Sequence, residues 1–317
     1  SDWQLDWQLG VSGAERETPR RVDWEFRSSA SAFPSRYDTS GPIFTLTPEA
    51  PYFDPASYPF RRVRFRTDLE QEDVTTAQVD LSRPLTLLER PASVKFGVKH
   101  FESEKRQDRT NINYVQASGA ANAFSLAAPG LAGVGPADFH EGRFNFGPTI
   151  NLAAMQSYFA ANPERFAFDA GSSASNSLAA DFDAVEEVLS GYGQAQIEVS
   201  DRASLLGGVR VEHTDATYSA NQLRNGVFSP ITLGNDYTQV MPGVHYNFRP
   251  NDRWVIRAAW TNTYGRTDYT DLAPRNEIED DEVAPGVYRG SLSAGNPELE
   301  PFESTNFDAS AEYYLRE

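Results

Sequence analysis

Apolar and polar residues alternate along this chain in eight separate stretches, the period of two expected of β-strands with unlike faces. Trp3, Leu5, Trp7, Leu9 and Val11 alternate with Gln4, Asp6, Gln8 and Gly10; Ala77, Val79 and Leu81 with Gln78, Asp80 and Ser82. The same holds for Val94, Phe96 and Val98, for Ala195, Ile197 and Val199, and for Val209 and Val211 in a strand beginning near Leu205. Val244, Tyr246 and Phe248 follow, then Trp254, Ile256, Ala258 and Trp260, and last Phe307, Ala309, Ala311, Tyr313 and Leu315. A soluble sandwich alternates in the same way, so the period alone does not separate a protein core from lipid.

The connections are more informative. Ser200–Ser204 and Arg249–Arg253 are tight polar turns, and a somewhat longer turn containing Pro84 and Pro91 joins Leu81 to Val94. The other links are long: Ser12 to Thr76, Lys99 to Gln194, Glu212 to Gln239 and Thr261 to Asn306. Short and long alternate strictly, as they do when turns lie at one membrane face and loops at the other. Loops of that size count against a compact soluble domain. Within them, Val22, Trp24 and Phe26 with Val63 and Phe65 predict a hairpin above the membrane, its acidic and basic faces complementary. Asp183–Leu189 carries capping-box spacing and predicts a short helix, Asn151–Ala161 a second, and the Ser/Ala-rich stretch Ala170–Ala180 a flexible loop.

Composition agrees. Only 39% of the 317 residues are hydrophobic, yet 12% are aromatic, a combination that suits β structure. No run approaches the roughly 20 apolar residues of a membrane helix, which leaves barrels open. There is no cysteine, so no disulfide, thiolate nucleophile or Cys-bound metal. The formal net charge of −17 argues against a nucleic-acid partner. The acids read as solvated loops, with surface divalent-cation binding as the sharper alternative. The chain opens Ser1-Asp2-Trp3 with neither initiator Met nor apolar leader, which reads as a removed leader or an internal fragment.

With the strands placed, an ordered set of motifs stands out. Val240-Met241-Pro242-Gly243-Val244-His245-Tyr246-Asn247-Phe248-Arg249-Pro250 is followed by Trp254–Trp260, Thr263-Tyr264-Gly265-Arg266, Asp271-Leu272-Ala273-Pro274-Arg275 and Gly295-Asn296-Pro297-Glu298-Leu299-Glu300-Pro301. Earlier come Gln78–Leu85, Lys95–Lys99, Gly142–Pro148 and Leu206–Glu212. The set, covering nearly the whole chain, resembles the barrel of TonB-dependent outer-membrane receptors, particularly the group found in Caulobacter- and Xanthomonas-like bacteria. The resemblance implies an all-β fold: an antiparallel transmembrane β-barrel segment, about eight strands of a 22-stranded barrel, with long extracellular loops holding short helices and a hairpin. Residues 1–317 would then be part of the barrel domain, without the N-terminal plug, the TonB box or the C-terminal strands. It also implies import of a scarce solute such as a siderophore, an oligosaccharide or cobalamin across the bacterial outer membrane. The implied partners are outer-membrane lipid and lipopolysaccharide, the receptor's own plug, the TonB-ExbB-ExbD system and the solute, with no cofactor.

No catalytic constellation is present, and an enzyme is the least favoured class. His100, His140, His213 and His245 have no partner at zinc-ligand spacing. The run Glu277, Glu279, Asp280, Asp281, Glu282 lacks the EF-hand order, so Glu279, Asp280 and Asp281 are at most weak calcium candidates. Tyr264, Arg266, Tyr269, Arg275, Asn276 and Tyr288 share one long connection and offer stacking faces and hydrogen-bonding forks for a polar solute. For Tyr264 and Arg266, bracing of the wall is the stronger reading. Trp3, Tyr246, Trp254, Trp260 and Tyr313 lie on apolar faces near strand ends and suit the membrane interface. Pro242 demands a bulge or a strand start. A passive porin-like channel and a soluble glycan-binding β module are the rival readings.

Overall fold

The computed structural model describes residues 3–28, 33–136, 139, 144, 146–224, 227–284 and 287–315, and for 224, 277–284 and 288–293 the backbone alone. Eight strands form the wall: β1 Gln4–Phe26, β2 Phe60–Leu87, β3 Arg90–Gln116, β4 Phe182–Ser200, β5 Ala203–Arg224, β6 Val227–Asn251, β7 Trp254–Gly265 and β8 Phe302–Tyr313. They stand side by side in chain order, and the registers from β3 to β8 are antiparallel. Each of the eight alternating stretches falls on one of them, with Trp3 and Leu315 just beyond the ends of β1 and β8. The expectation of an all-β, antiparallel sheet holds.

The strands run well past what a membrane crossing requires. β2 has 28 residues and β3 27, against about 9–11 for a spanning strand. Much of what the sequence presents as loop is therefore paired strand. Glu212–Gln239 is the distal part of a hairpin paired without interruption from Ala203↔Phe248 to Arg224↔Val227. The turn between β2 and β3 shrinks to Leu88 and Glu89, whose positive φ angles of 52° and 61° match the right-handed twist of the flanking strands. Pro242 needs neither bulge nor strand start. It stands one residue before the β6–β7 register begins at Gly243↔Thr261, so on that side no ladder bond is lost.

Cα packing divides the chain into two compact units, Ser1–Glu17, Leu69–Asp108 and Leu178–Glu317 in the first, Thr18–Asp68 and Arg109–Ser177 in the second. In the first unit the register aligns the apolar positions of neighbouring strands on one face. Phe96, Gly193, Val209 and Pro242 share a row, as do Val98, Gly191, Val211 and Val240. Val98 and Val240 are each 57% exposed, as expected of a face that meets an apolar solvent rather than a protein core. The opposite face is polar, with Asp80 accepting from the Tyr192 hydroxyl at 2.8 Å and pairing with Lys95 at 3.2 Å.

Asp183–Leu189, expected as a helix, belongs to β4. Phe182, Ala184, Glu186 and Val188 are buried while Asp183, Val185, Glu187 and Leu189 are exposed, a period of two that tertiary pairing on both sides enforces over the capping signal.

The second unit has its own core of Phe60, Val63, Phe124, Leu126, Leu131, Met155 and Phe166. The predicted hairpin residues Val22, Trp24, Phe26 and Phe65 pack against it, as ends of β1 and β2 rather than as a separate hairpin. The expected charge complementarity is present, with Glu25 pairing to Arg61 and Arg62, both at 2.6 Å. α1, Leu152–Ala161, forms where predicted and is capped by Asn151. The stretch expected as flexible loop is instead α2, Ala170–Leu178. Asp169 caps it through the Ser172 amide at 2.9 Å, and the Ser173 and Ser177 hydroxyls accept from the amides of Asn113 and Asn111. Small side chains that weaken an isolated helix here let it lie close on β3. Met155 is fully buried, so Met155→Ala is expected to destabilise this unit by about 2–5 kcal/mol. Proteolysis of the unit's loops in intact protein checks it; unchanged cleavage rates would contradict the packing described.

Candidate solute site on the polar face

Beyond β7 the chain turns back over the polar face of the first unit. Asp268 starts α3, Tyr269–Leu272, by accepting from the Thr270 amide at 2.8 Å. Leu272 and Ala273 bury against Phe182, Ala184, Ala216, Tyr218 and Ala220, the inward residues of β4 and β5. Gly295 lies directly under this turn. A Cβ there would sit 3.0 Å from the Ala273 carbonyl carbon and against its oxygen, so only glycine permits the approach. The Gly295 amide donates to the Arg275 carbonyl at 3.0 Å and the Asn296 amide to that of Asp271 at 2.8 Å. The Gly-Asn-Pro motif therefore clamps the connection that carries the candidate residues.

Three of those candidates meet in one hydrogen-bonded network. Arg266 lies 3.6 Å from the carboxylate of Glu186 and 3.5 Å from that of Glu212, and donates to the Tyr264 hydroxyl at 2.7 Å. The Tyr264 hydroxyl donates to Glu212, which also pairs with Arg210. Tyr269 donates to Glu186 at 3.1 Å. Burial, with the Glu186 carboxylate beside it, raises the Tyr269 phenol well above its ordinary range, so it stays a donor. Glu186, 2% exposed, is the residue this arrangement turns on, and its local sequence points instead to a helix cap with Asp183.

Arg275 and Asn276 lie elsewhere, lining a cavity of about 490 Å³ with Asn221, Thr270, Asp271 and Asn296. Arg275 is held by the Thr270 carbonyl at 2.7 Å and stands 5.8 Å from the Phe182 ring centroid. The Asn276 side-chain Oδ1 is buried and has no hydrogen-bond partner among the described residues. The side chains of Tyr288, Glu279, Asp280 and Asp281 lie outside the described residues, as does His140. His245 lines a second depression on the polar face, about 370 Å³, with Gln78, Gln194 and Arg210.

The hydrogen bonds from Thr270 hold the Asp268 carboxyl below its usual value. A lowered folded-state pKa stabilises fully above the ordinary carboxylate value near 3.9 and is lost as pH falls through the lower one. Amide exchange across 269–273, taken relative to the intrinsic rate at each pH, is therefore expected to quicken on acidification below about pH 4. In Asp268→Ala it should already be fast at neutral pH and lose that acid step; an unchanged step would assign it to another group.

Residues 4–316 match the family model described as TonB dependent receptor-like, beta-barrel. The chain belongs to this family. Among solved structures, an FpvAI–pyocin S2 complex is 14% identical with a TM-score of 0.47, over 99% of this chain and 28% of that one. The siderophore receptor PiuA from Acinetobacter baumannii gives 12%, 0.42, 98% and 48%, and the ferric yersiniabactin uptake receptor FyuA from Yersinia pestis 12%, 0.33, 98% and 40%. The chain thus spans less than half the length of these neighbours. No curated protein matches it. For a TonB-dependent receptor barrel, the apolar face is the lipid side and the polar face the lumen. Among the described residues no helix is long and apolar enough to cross a membrane.

Proposed function

We propose that this chain supplies barrel wall, lumen and outer connections to a receptor that actively imports a scarce polar solute across the bacterial outer membrane. The observation that carries the reading is the cavity shared by Arg275, Asn276, Asn221 and Asn296, held over the lumen face by α3. Its amides, guanidinium and the Asp271 carboxylate suit a solute rich in hydroxyls, carbonyls or carboxylates. Tyr264, Arg266 and Tyr269 do not line this cavity; they brace the wall through Glu186 and Glu212. Trp3, Tyr246, Trp254, Trp260 and Tyr313 project from the lipid side and anchor the wall at the two interfaces, in contact with lipid and lipopolysaccharide. TonB with ExbB and ExbD supplies the energy through the receptor's plug.

A deletion strain should lose uptake of one solute class among siderophores, oligosaccharides and cobalamin, and the loss should be reproduced by inactivating TonB. TonB-independent uptake would replace this reading by a passive channel. In the full-length receptor, Arg275→Ala with Asn276→Ala is expected to weaken binding of that solute at least tenfold, about the loss of one or two buried charge-assisted hydrogen bonds. Unaltered affinity would move the site elsewhere.

A further inference from the structure

On the lipid side, the row beyond Val98, Gly191, Val211 and Val240 is His100, Leu189, His213 and Thr238. The next row is Glu102, Glu187, Asp215 and Asp236, four carboxylates on four neighbouring strands. Strands lie about 4.8 Å apart, and like charges directly opposite destabilise a sheet. Among the described residues no Lys or Arg pairs with any of the four. At one end of this row the His100 imidazole approaches. Its Nε2 is 3.9 Å from a Glu187 oxygen, too far for a hydrogen bond, and single ligand atoms of His100, Glu102 and Glu187 all lie within 4.8 Å of one another.

We infer that His100, Glu102 and Glu187 form a binding site for a divalent transition-metal cation of the zinc type, at the outer edge of the apolar band. Two ligands on one Zn²⁺, each at about 2.0–2.2 Å, sit roughly 3–4 Å apart. Small side-chain rotations close the set without moving the backbone, because the paired strands β3 and β4 already hold the three residues in place. One imidazole and two carboxylates leave a fourth position for water, and the imidazole selects against calcium and magnesium. The bound ion ties β3 to β4 and relieves the repulsion between Glu102 and Glu187. The ligands are two residues apart on one strand and across a register on the next, a spacing that a linear motif does not express. His100 is the member that separates this site from a solvated acidic face, on which the imidazole would contribute nothing to cation affinity.

The test is Zn²⁺ titration by calorimetry of the full-length receptor in detergent, stripped of metal, with Co²⁺ absorption as a second readout. His100→Ala and the double variant Glu102→Gln/Glu187→Gln are each expected to lose one equivalent of Zn²⁺, or to weaken it by about tenfold or more. His245→Ala, on the lumen face, should bind as the wild type does. Excess Ca²⁺ or Mg²⁺ should not displace the ion. Heat-modifiable migration in gels confirms that each variant is folded. Undiminished Zn²⁺ binding in folded His100→Ala, an absence of Zn²⁺ binding in the wild type, or displacement by Ca²⁺ would each overturn the site.

Discussion

Replacing Arg266 by alanine is expected to cost about 3–5 kcal/mol of stability, the penalty for leaving a buried carboxylate without its cation. Glu186 is only 2% exposed and keeps, after that change, only the Tyr269 hydroxyl at 3.1 Å among its described partners. Glu212 suffers less because Arg210 and Tyr264 remain beside it. The double variant Glu186→Gln/Arg266→Gln removes both charges and should recover much of the loss, so the two sites will be strongly non-additive. Denaturant unfolding of the full-length receptor in detergent measures both. A cost below about 1 kcal/mol, or simple additivity, would mean that the pair is solvated. If Arg266 instead contacts solute, affinity will fall while stability does not.

Alanine at Gly97 should have an effect of similar size for a different reason. A Cβ there would meet the Asp80 carboxylate and the Tyr192 ring, the latter's Cζ at 2.9 Å. The glycine is a notch through which Tyr192 of β4 crosses β3 to reach Asp80 of β2 at 2.8 Å. Overpacking of about 1–3 kcal/mol adds to the loss of a hydrogen bond to a charged group, about 1.5–3 kcal/mol. The companion variant Tyr192→Phe loses the hydrogen bond without the clash. If Gly97→Ala costs no more than Tyr192→Phe, the notch is not filled by the ring.

Strand existence was legible because lipid and lumen impose opposite polarity on successive residues, and Trp254–Trp260 or Phe307–Leu315 shows that without any partner in view. Strand length was not. Beyond the apolar band the outward residues become His100, Glu102, His213 and Asp215, and alternation of polarity fades although pairing continues. Local signals also misdirect there: Asp183 and Glu186 imitate a helix cap within β4, while serines disguise α2. Of the candidate residues, sequence proximity grouped six in one connection, whereas the fold sends Tyr264, Arg266 and Tyr269 to a charged brace and Arg275 and Asn276 to a cavity.

The sequence by itself determined the β architecture and the family, because each is written in periodicity and in ordered neighbouring motifs. Only the tertiary structure decided that Glu186 is the buried counter-ion of Arg266, that Gly97 and Gly295 are clearances, and that His100 faces Glu187. Glu186 and Arg266, Gly97 and Tyr192, and His100 and Glu187 stand 80 or more positions apart and meet through the pairing of whole strands, whose register is not set by any residue's own neighbours.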